Sequence, residues 1–260
     1  MKILHIGDIV GSPGRVAFAK LVPKIKADEN IDFIVANGEN SAGGRGITPA
    51  IADELFAGGA DVVTMGDHTW DQRDIIPHLG LEKRMVRPAN FAPGCAGRGW
   101  TTVETPLGRV TVIQVLGRVF LNPMDCPFRT VDAILKTGAD FGKVIVVDIH
   151  AEATSEKIAM GRYLDGRVTS VSGTHTHVQT SDETILPKGT AYITDLGMTG
   201  PKDSVIGCDV GCVLDRFLTG MPTKLEVAKN DLALEGVIVT VDEKTGRATK
   251  TKRIRERVSA

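Results

Sequence analysis

Arg167-Val168-Thr169-Ser170-Val171-Ser172-Gly173-Thr174-His175-Thr176-His177 reads as a β-rich run that delivers two histidines at its carboxyl end. Residues at i and i+2 of an ideal strand share a face. At a strand-to-loop exit, the same spacing can aim two imidazoles at one point or at two neighbouring points. Two histidines so spaced are a weak signal alone, and a solvated or hydrogen-bonded pair is the plainer reading. Other parts of the chain strengthen it. Asp8, Glu39 with Asn40, Asp67 with His68, and His150 each follow or close an apolar run of their own.

Those runs set the fold class. Residues 3–6, 31–36 and 61–64 read as buried strands, and 13–27, 48–57 and 71–78 as helices between or after them. Such alternation predicts a parallel sheet with crossover helices. Both faces of that sheet are covered, hence continuous apolar runs in place of strict alternation. Further on the character changes. Residues 100–104 and 110–115 flank Pro106-Leu107-Gly108 as a hairpin. A helical stretch over 130–136 precedes the apolar strand 144–149. After the histidine strand come a strand at 191–194, a helix at 210–218, and a hairpin pairing 236–241 with 247–252. The expectation is an α/β protein with two mixed sheets packed between helical layers, one domain spanning residues 1–260.

Composition narrows the function. With 260 residues the chain can bury a full core. Its formal net charge of −1 and its 5% aromatic content argue against a groove for nucleic-acid polymers. No apolar stretch approaches a membrane span, and the N-terminal run stops at Gly7-Asp8, so it reads as a first strand and not a signal peptide. Cys95, Cys126, Cys208 and Cys212 show no zinc-finger spacing. Cys208 and Cys212, at i and i+4 on an expected helix, read as small buried hydrophobes. A reducing cytoplasm is the expected compartment.

In open α/β sheets, ligands bind outside the carboxyl ends of the strands. Five strand ends here would bring carboxylates, an amide and imidazoles to one rim. Gathered carboxylates repel one another and lose hydration unless cations neutralise them. The inventory exceeds what one ion needs, so two metal ions fit better. Oxygen and nitrogen donors without thiolate favour iron or manganese, with zinc behind them. Two such ions can activate a bridging hydroxide and clamp an in-line displacement at phosphorus.

Gly7-Asp8, Gly38-Glu39-Asn40, Gly66-Asp67-His68, His150 and Gly173-Thr174-His175-Thr176-His177 resemble the five ordered blocks of the calcineurin-like metallophosphoesterases. Most of that superfamily has Asp-x-His first, where this chain has Asp8-Ile9-Val10. The missing histidine, with Glu-Asn in the second block, resembles the YmdB-like branch of bacterial phosphodiesterases. Asn37-Gly38-Glu39-Asn40, Arg87-Pro88-Ala89-Asn90 and the 194–201 stretch extend the likeness over almost the whole chain. The resemblance implies a four-layer αββα sandwich and a dinuclear site. Asp8, Asn40 and His177 would hold one metal, Asp67, His150 and His175 the other, and Glu39 would bridge. His68 would protonate the leaving alkoxide while the bridging hydroxide attacks. The implied substrates are 2′,3′-cyclic nucleotides and similar small phosphodiesters. A phosphomonoesterase or nucleotidase on the same site, or a nucleotide-sensing regulator with little turnover, are the alternatives. A homo-oligomer is compatible with either.

Asp67 departs from the resemblance, because the family usually has Asn there. Two divalent ions, three carboxylates and a hydroxide sum to about zero formal charge, where Asn would leave about +1. The extra carboxylate therefore favours a more highly charged pair, for instance one with ferric iron. Elsewhere the sequence offers plainer readings. His5 is expected to be a core histidine, His78 a surface one, and Asp148 a structural neighbour of the ligands. Gly11-Ser12-Pro13-Gly14-Arg15 fits a tight turn with Pro at a helix start at least as well as an anion loop. Gly43-Gly44-Arg45-Gly46 reads as a loop near the site, with Arg45 a candidate substrate contact. Arg87, Asn90 and Phe91 fit a pocket wall or a structural turn equally.

Overall fold

A computed structural model describes residues 1–137 and 139–259. The first half of the chain lays down β1 (Lys2–Ile6), β2 (Asp8–Ile9), β3 (Phe33–Asn37), β4 (Val62–Thr64) and β5 (Met85–Val86), with helices α1 (Gly11–Glu29), α2 (Pro49–Ala57) and α3 (Ile75–Leu81) between them. The chain then builds β6 (Trp100–Thr105), β7 (Gly108–Leu116), β8 (Val144–His150), β9 (Ser170–Thr174), β10 (Thr184–Ile185) and β11 (Ala191–Ile193), with α4 (Pro127–Leu135) and α5 (Thr154–Leu164). It returns to the first sheet through β12 (Met198–Pro201), α6 (Val210–Thr219) and the long hairpin β13 (Leu232–Asp242) and β14 (Arg247–Arg257).

The first sheet has eight strands in the order β2-β12-β13-β1-β3-β4-β5, with β14 paired to β13. The β1–β3–β4–β5 part is parallel, and the β13 pairings with β1, β12 and β14 are antiparallel. The second sheet runs β10-β11-β9-β8-β7-β6, parallel from β11 to β7 and antiparallel at both edges. Both sheets are mixed, as the sequence predicts.

Three apolar layers hold the sandwich. Ile3, Phe33, Val35, Val62, Val237 and Val239 of one sheet pack on Val110, Val112, Val144, Val146 and Ile193 of the other. Fully burying an aliphatic side chain of this kind is worth about 1.5–3 kcal/mol, so this layer fixes the two sheets face to face. Ala17, Phe18, Leu21, Val22 and Ile25 recur on one side of α1 and cover the outer face of the first sheet. Val131, Ile134, Met160 and Leu164 of α4 and α5 cover the second. Helix, sheet, sheet, helix is the resulting layering.

Local chemistry marks the ends of elements. The Thr48 side chain accepts from the Ile51 amide ahead of Pro49, and Asp209 caps α6 by accepting from the Cys212 amide at 3.2 Å. Helix α5 has no counterpart in the sequence reading, because its inner face buries Glu156 and Lys157 beside Met160, Gly161 and Leu164. Two charged residues on the core side erase the apolar period. Cys208 and Cys212 are half-buried, and Cys208 lies in the turn before α6, which corrects their placement as buried hydrophobes on one helix. His5 is buried in β1, as expected of a core residue, while His78 is only partly exposed at the end of α3.

Candidate metal centre

Five strand ends converge at one rim, and each contributes for a local reason. Asp8 starts β2, where pairing with Met198 of β12 carries it away from β1. Glu39 and Asn40 sit in the turn after β3, closed by Ser41 N–H to the Gly38 carbonyl at 3.2 Å. Asp67 and His68 follow β4 across Gly66, where a Cβ would collide with both the Glu39 carboxylate and the His150 ring. Only glycine lets that backbone pass so close to the ligands. His150 ends β8 beside Thr174 of β9. Strand β9 stops at Thr174, so His175 and His177 lie beyond it, at φ 99° and 62°. Two histidines in the left-handed region are an uncommon backbone state that clusters at functional sites. His175 Nδ1 lies beside Asp67 at 3.3 Å and His177 Nε2 beside Asp8 at 3.7 Å, so the two imidazoles face neighbouring points.

The first point is lined by Glu39, Asp67, His150 and His175, each offering one ligand atom, all within 4.8 Å of one another. His150 Nε2 lies 3.0 Å from Glu39 Oε1, from Asp67 Oδ1 and from His175 Nδ1. Asp67 Oδ1 is also 3.3 Å from His175 Nδ1. At the second point, His177 Nε2 lies 3.7 Å from Asp8 Oδ1 and 3.2 Å from the Asn40 amide nitrogen. Rotating that amide by 180° exchanges its nitrogen for Oδ1, the atom able to hold a cation. Glu39 stands between the two groups, its Oε1 facing both His150 and, at 3.3 Å, the Asn40 amide.

The electrostatics of this set are those of a site built for cations. Asp8, Glu39 and His150 are fully buried. Burial pushes the Asp8 carboxyl up to about 7. Burial also works against charge on Glu39, Asp67 and His150, yet their mutual contacts win. His150 holds Glu39 below the usual carboxylate range, and His150 with His175 holds Asp67 well below it. Glu39, Asp67 and Asp8 in turn drive the His150 imidazole well above its ordinary value. Asp8 Oδ1 is buried with no hydrogen-bond partner. An orphaned carboxylate oxygen, a four-residue donor group of oxygen and nitrogen, and a glycine cradle together fit metal ions. Cys208 borders the same cavity, where burial pushes its thiol up.

Several supporting residues carry no signal that a lone sequence could offer. The His150 Nδ1–H reaches Thr174 Oγ1 at 2.9 Å, and that hydroxyl donates to Asp148 Oδ1 at 2.7 Å. This chain presents Nε2 to the rim, the familiar way of orienting a metal-facing histidine. Asp148 also accepts from Thr64 of the facing sheet at 2.7 Å, with His5 at 3.7 Å. His177 is oriented through a backbone group, the Ile206 carbonyl, which accepts from Nδ1 at 2.9 Å. Buried Lys157 bonds Asp195 Oδ2 at 2.6 Å, and the same oxygen accepts from the Thr176 amide and hydroxyl. Thr176 lies between the two histidines, so this ion pair supports both. Glu152 approaches His175 Nε2 at 3.3 Å from the solvent side.

His68 borders this donor group: its amide donates to Glu39 Oε2 at 3.0 Å, its Nδ1 lies 3.1 Å from Asp71 Oδ2, and its Nε2 is 4.0 Å from Asp67. Asp71 in turn accepts from Arg45 Nε at 2.9 Å. Arg45, Gly43 and Gly44 line the cavity of about 510 Å³ over the rim, as a loop near the site should. Arg87, Asn90 and Phe91 do not line it. Arg87 donates to the carbonyls of Pro88, Cys95 and Ala96, and Asn90 ties Leu116 to Asp125, so this is a structural turn. Gly11–Arg15 opens α1 as a packed turn, with Gly14 against the Thr199 carbonyl and Arg15 holding the Ser41 carbonyl.

Two mixed sheets with a carboxylate and imidazole rim at their strand ends define a protein of the metallophosphoesterase type. The family model described as YmdB-like protein matches residues 4–254. A 2′,3′-cyclic-nucleotide 2′-phosphodiesterase of Bacillus subtilis (strain 168) is 48% identical over 254 residues, covering 98% of this chain and 96% of that one. A solved hypothetical protein from Thermus thermophilus superposes with TM-score 0.93 at 39% identity, covering 99% of each chain. A phosphatase structure from Mycoplasma pneumoniae superposes with TM-score 0.92 at 34% identity, covering 99% of this chain and 93% of that one. The chain belongs to the YmdB-like family, and hydrolysis of phosphoesters is its class of chemistry.

Proposed function

We propose that residues 1–260 act as one metal-dependent phosphodiesterase domain on 2′,3′-cyclic nucleotides or similar small phosphodiesters. The observation that carries this is the convergence of Glu39, Asp67, His150 and His175 within 4.8 Å, beside a second group of Asp8, Asn40 and His177. The similarity to the Bacillus subtilis phosphodiesterase supports the choice of substrate. Asp67, His150 and His175 would hold one ion, Asp8, Asn40 and His177 the other, with Glu39 shared. Iron or manganese suits these donors better than zinc. Bound there, the metal pair supplies neutralisation of the carboxylates, polarisation of the phosphoryl group and an activated water.

The remaining chemistry belongs to His68. Its Nδ1 lies 3.1 Å from the Asp71 carboxylate, and its Nε2 is 4.0 Å from Asp67 at the rim. When protonated, Nε2 hands its proton to the departing ribose oxygen, which leaves poorly as an alkoxide. Four free cysteines among the described residues suit a reducing cytoplasm, and no described helix is long and apolar enough to cross a membrane.

The test is turnover of a phosphoester panel by purified protein, with elemental analysis alongside. We expect cyclic diesters to be cleaved faster than their monoester products, and a chelator to abolish turnover reversibly. His68→Ala should lower kcat about 10²–10⁴-fold with metal content unchanged. Faster turnover of monoesters would establish the phosphatase alternative, and tight nucleotide binding without turnover the regulatory one. Asp67→Asn probes the valence of the pair: a shift of the bound iron from ferric to ferrous in its spectroscopic signature is expected, and unchanged valence and rate refute that role.

A further inference from the structure

We infer that the side chain of Ile206 is the surface on which the base of a cyclic nucleotide packs, an inference that rests on the phosphodiesterase reading above. The turn that carries it is tightly built. Val205 and Cys208 exchange backbone hydrogen bonds at 2.9 and 3.0 Å, the Ser204 hydroxyl donates to the Pro201 carbonyl at 2.6 Å, and Gly207 N–H donates back to that hydroxyl at 3.0 Å. Inside it, Ile206 adopts φ 47°. A β-branched residue in the left-handed region is a genuine outlier, and such strain gathers at ligand contacts and active sites.

The anchor for His177 does not explain the choice of isoleucine. His177 needs only the carbonyl of residue 206, which glycine or asparagine would supply without strain. Core packing does not explain it either, since Ile206 is 53% exposed. Its side chain instead borders the cavity over the rim, where Val10, Leu225 and Val227 join it as an aliphatic wall. The same cavity is lined by His175, His177, His68 and Arg45. A substrate whose phosphate lies at the rim and whose remainder is a flat heterocycle matches this mixture of polar and aliphatic lining. Val227 also lies close against Gly44 and Gly11.

An aliphatic wall touches a base on its face and reads little of its hydrogen-bonding edge. The four bases should therefore differ by less than about ten-fold in kcat/KM, as hydrophobic pockets separate near-isosteres weakly. A base-free diester with the same five-membered ring should fall behind, chiefly through KM.

The experiment uses the metal-loaded full chain, with 2′,3′-cyclic AMP, 2′,3′-cyclic UMP and glycerol 1,2-cyclic phosphate as substrates. Ile206→Gly removes the side chain while keeping the carbonyl and relieving the backbone. Leu225→Ala is the second variant. In each, the preference for nucleotide over glycerol ester should fall about five- to ten-fold, carried by KM. Calorimetric affinity for adenosine 3′-monophosphate should weaken alike, and Ile206→Gly should melt no lower than the wild type. An unchanged preference in both variants, with the glycerol ester still cleaved, would overturn the inference, as would a more than 100-fold difference among bases. Wild-type protein that cleaves neither cyclic ester would remove the parent reading, and this one with it.

Discussion

The two sides of the rim are supported in different ways. On the Asp67 side, His150 is oriented by a chain of side chains, Thr174 and Asp148, buried between β8, β9 and the facing sheet. On the Asp8 side, His177 is oriented by the Ile206 carbonyl in an exposed turn that arrives 29 residues later. The first arrangement shares its rigidity with the inter-sheet core. The second depends on a strained loop that also borders the substrate cavity. One half of the centre is thus tied to the inter-sheet core, the other to a turn that also borders the cavity.

The largest expected effect would break this contrast, because it strikes the prop common to both sides. Lys157→Ala leaves Asp195 buried without its cation, which costs about 3–5 kcal/mol. Denaturant unfolding should show that loss, and both histidine sites should lose metal together. A result confined to one site would mean that Lys157 serves only that side. Next comes Thr174→Val, which cuts the relay to Asp148 on the Asp67 side alone. Metal affinity there should fall about 10–100-fold, seen as titration in which one of two ions is lost first. Equal weakening of both ions would show that the sides are not independently supported. The smallest effect belongs to Glu152→Ala. Its contact with His175 is half-exposed, so kcat/KM should change by about five-fold at most, and less at high salt.

Much of this was legible before the structure. The apolar runs ending in Asp8, Glu39, Asp67 and His150 located the strand ends, and the parallel-sheet rule placed those ends at one rim. What stayed hidden was whatever broke a period. Helix α5 turns Glu156 and Lys157 inward, because Glu156 caps the Arg118 and Val119 amides and Lys157 neutralises Asp195. A pattern search scores such positions as solvent-facing. Strands β2 and β12 are short and take their partners across long stretches of chain, so no local signal marks them. Arg87 and Asn90 looked equally suited to a pocket wall, until their donors were seen to be consumed by backbone carbonyls.

By itself the sequence determined which chemical groups the centre contains and that they stand at strand ends, since periodicity and turn chemistry are local properties of the chain. The tertiary structure decided how closely those groups stand at the rim. It also decided which partner turns each histidine and which side chains wall the cavity. Those depend on contacts between residues as distant as His177 and Ile206, or Thr64 and Asp148. Burial and hydrogen bonding act between elements that no local pattern connects, and at this rim they set the orientation of every imidazole.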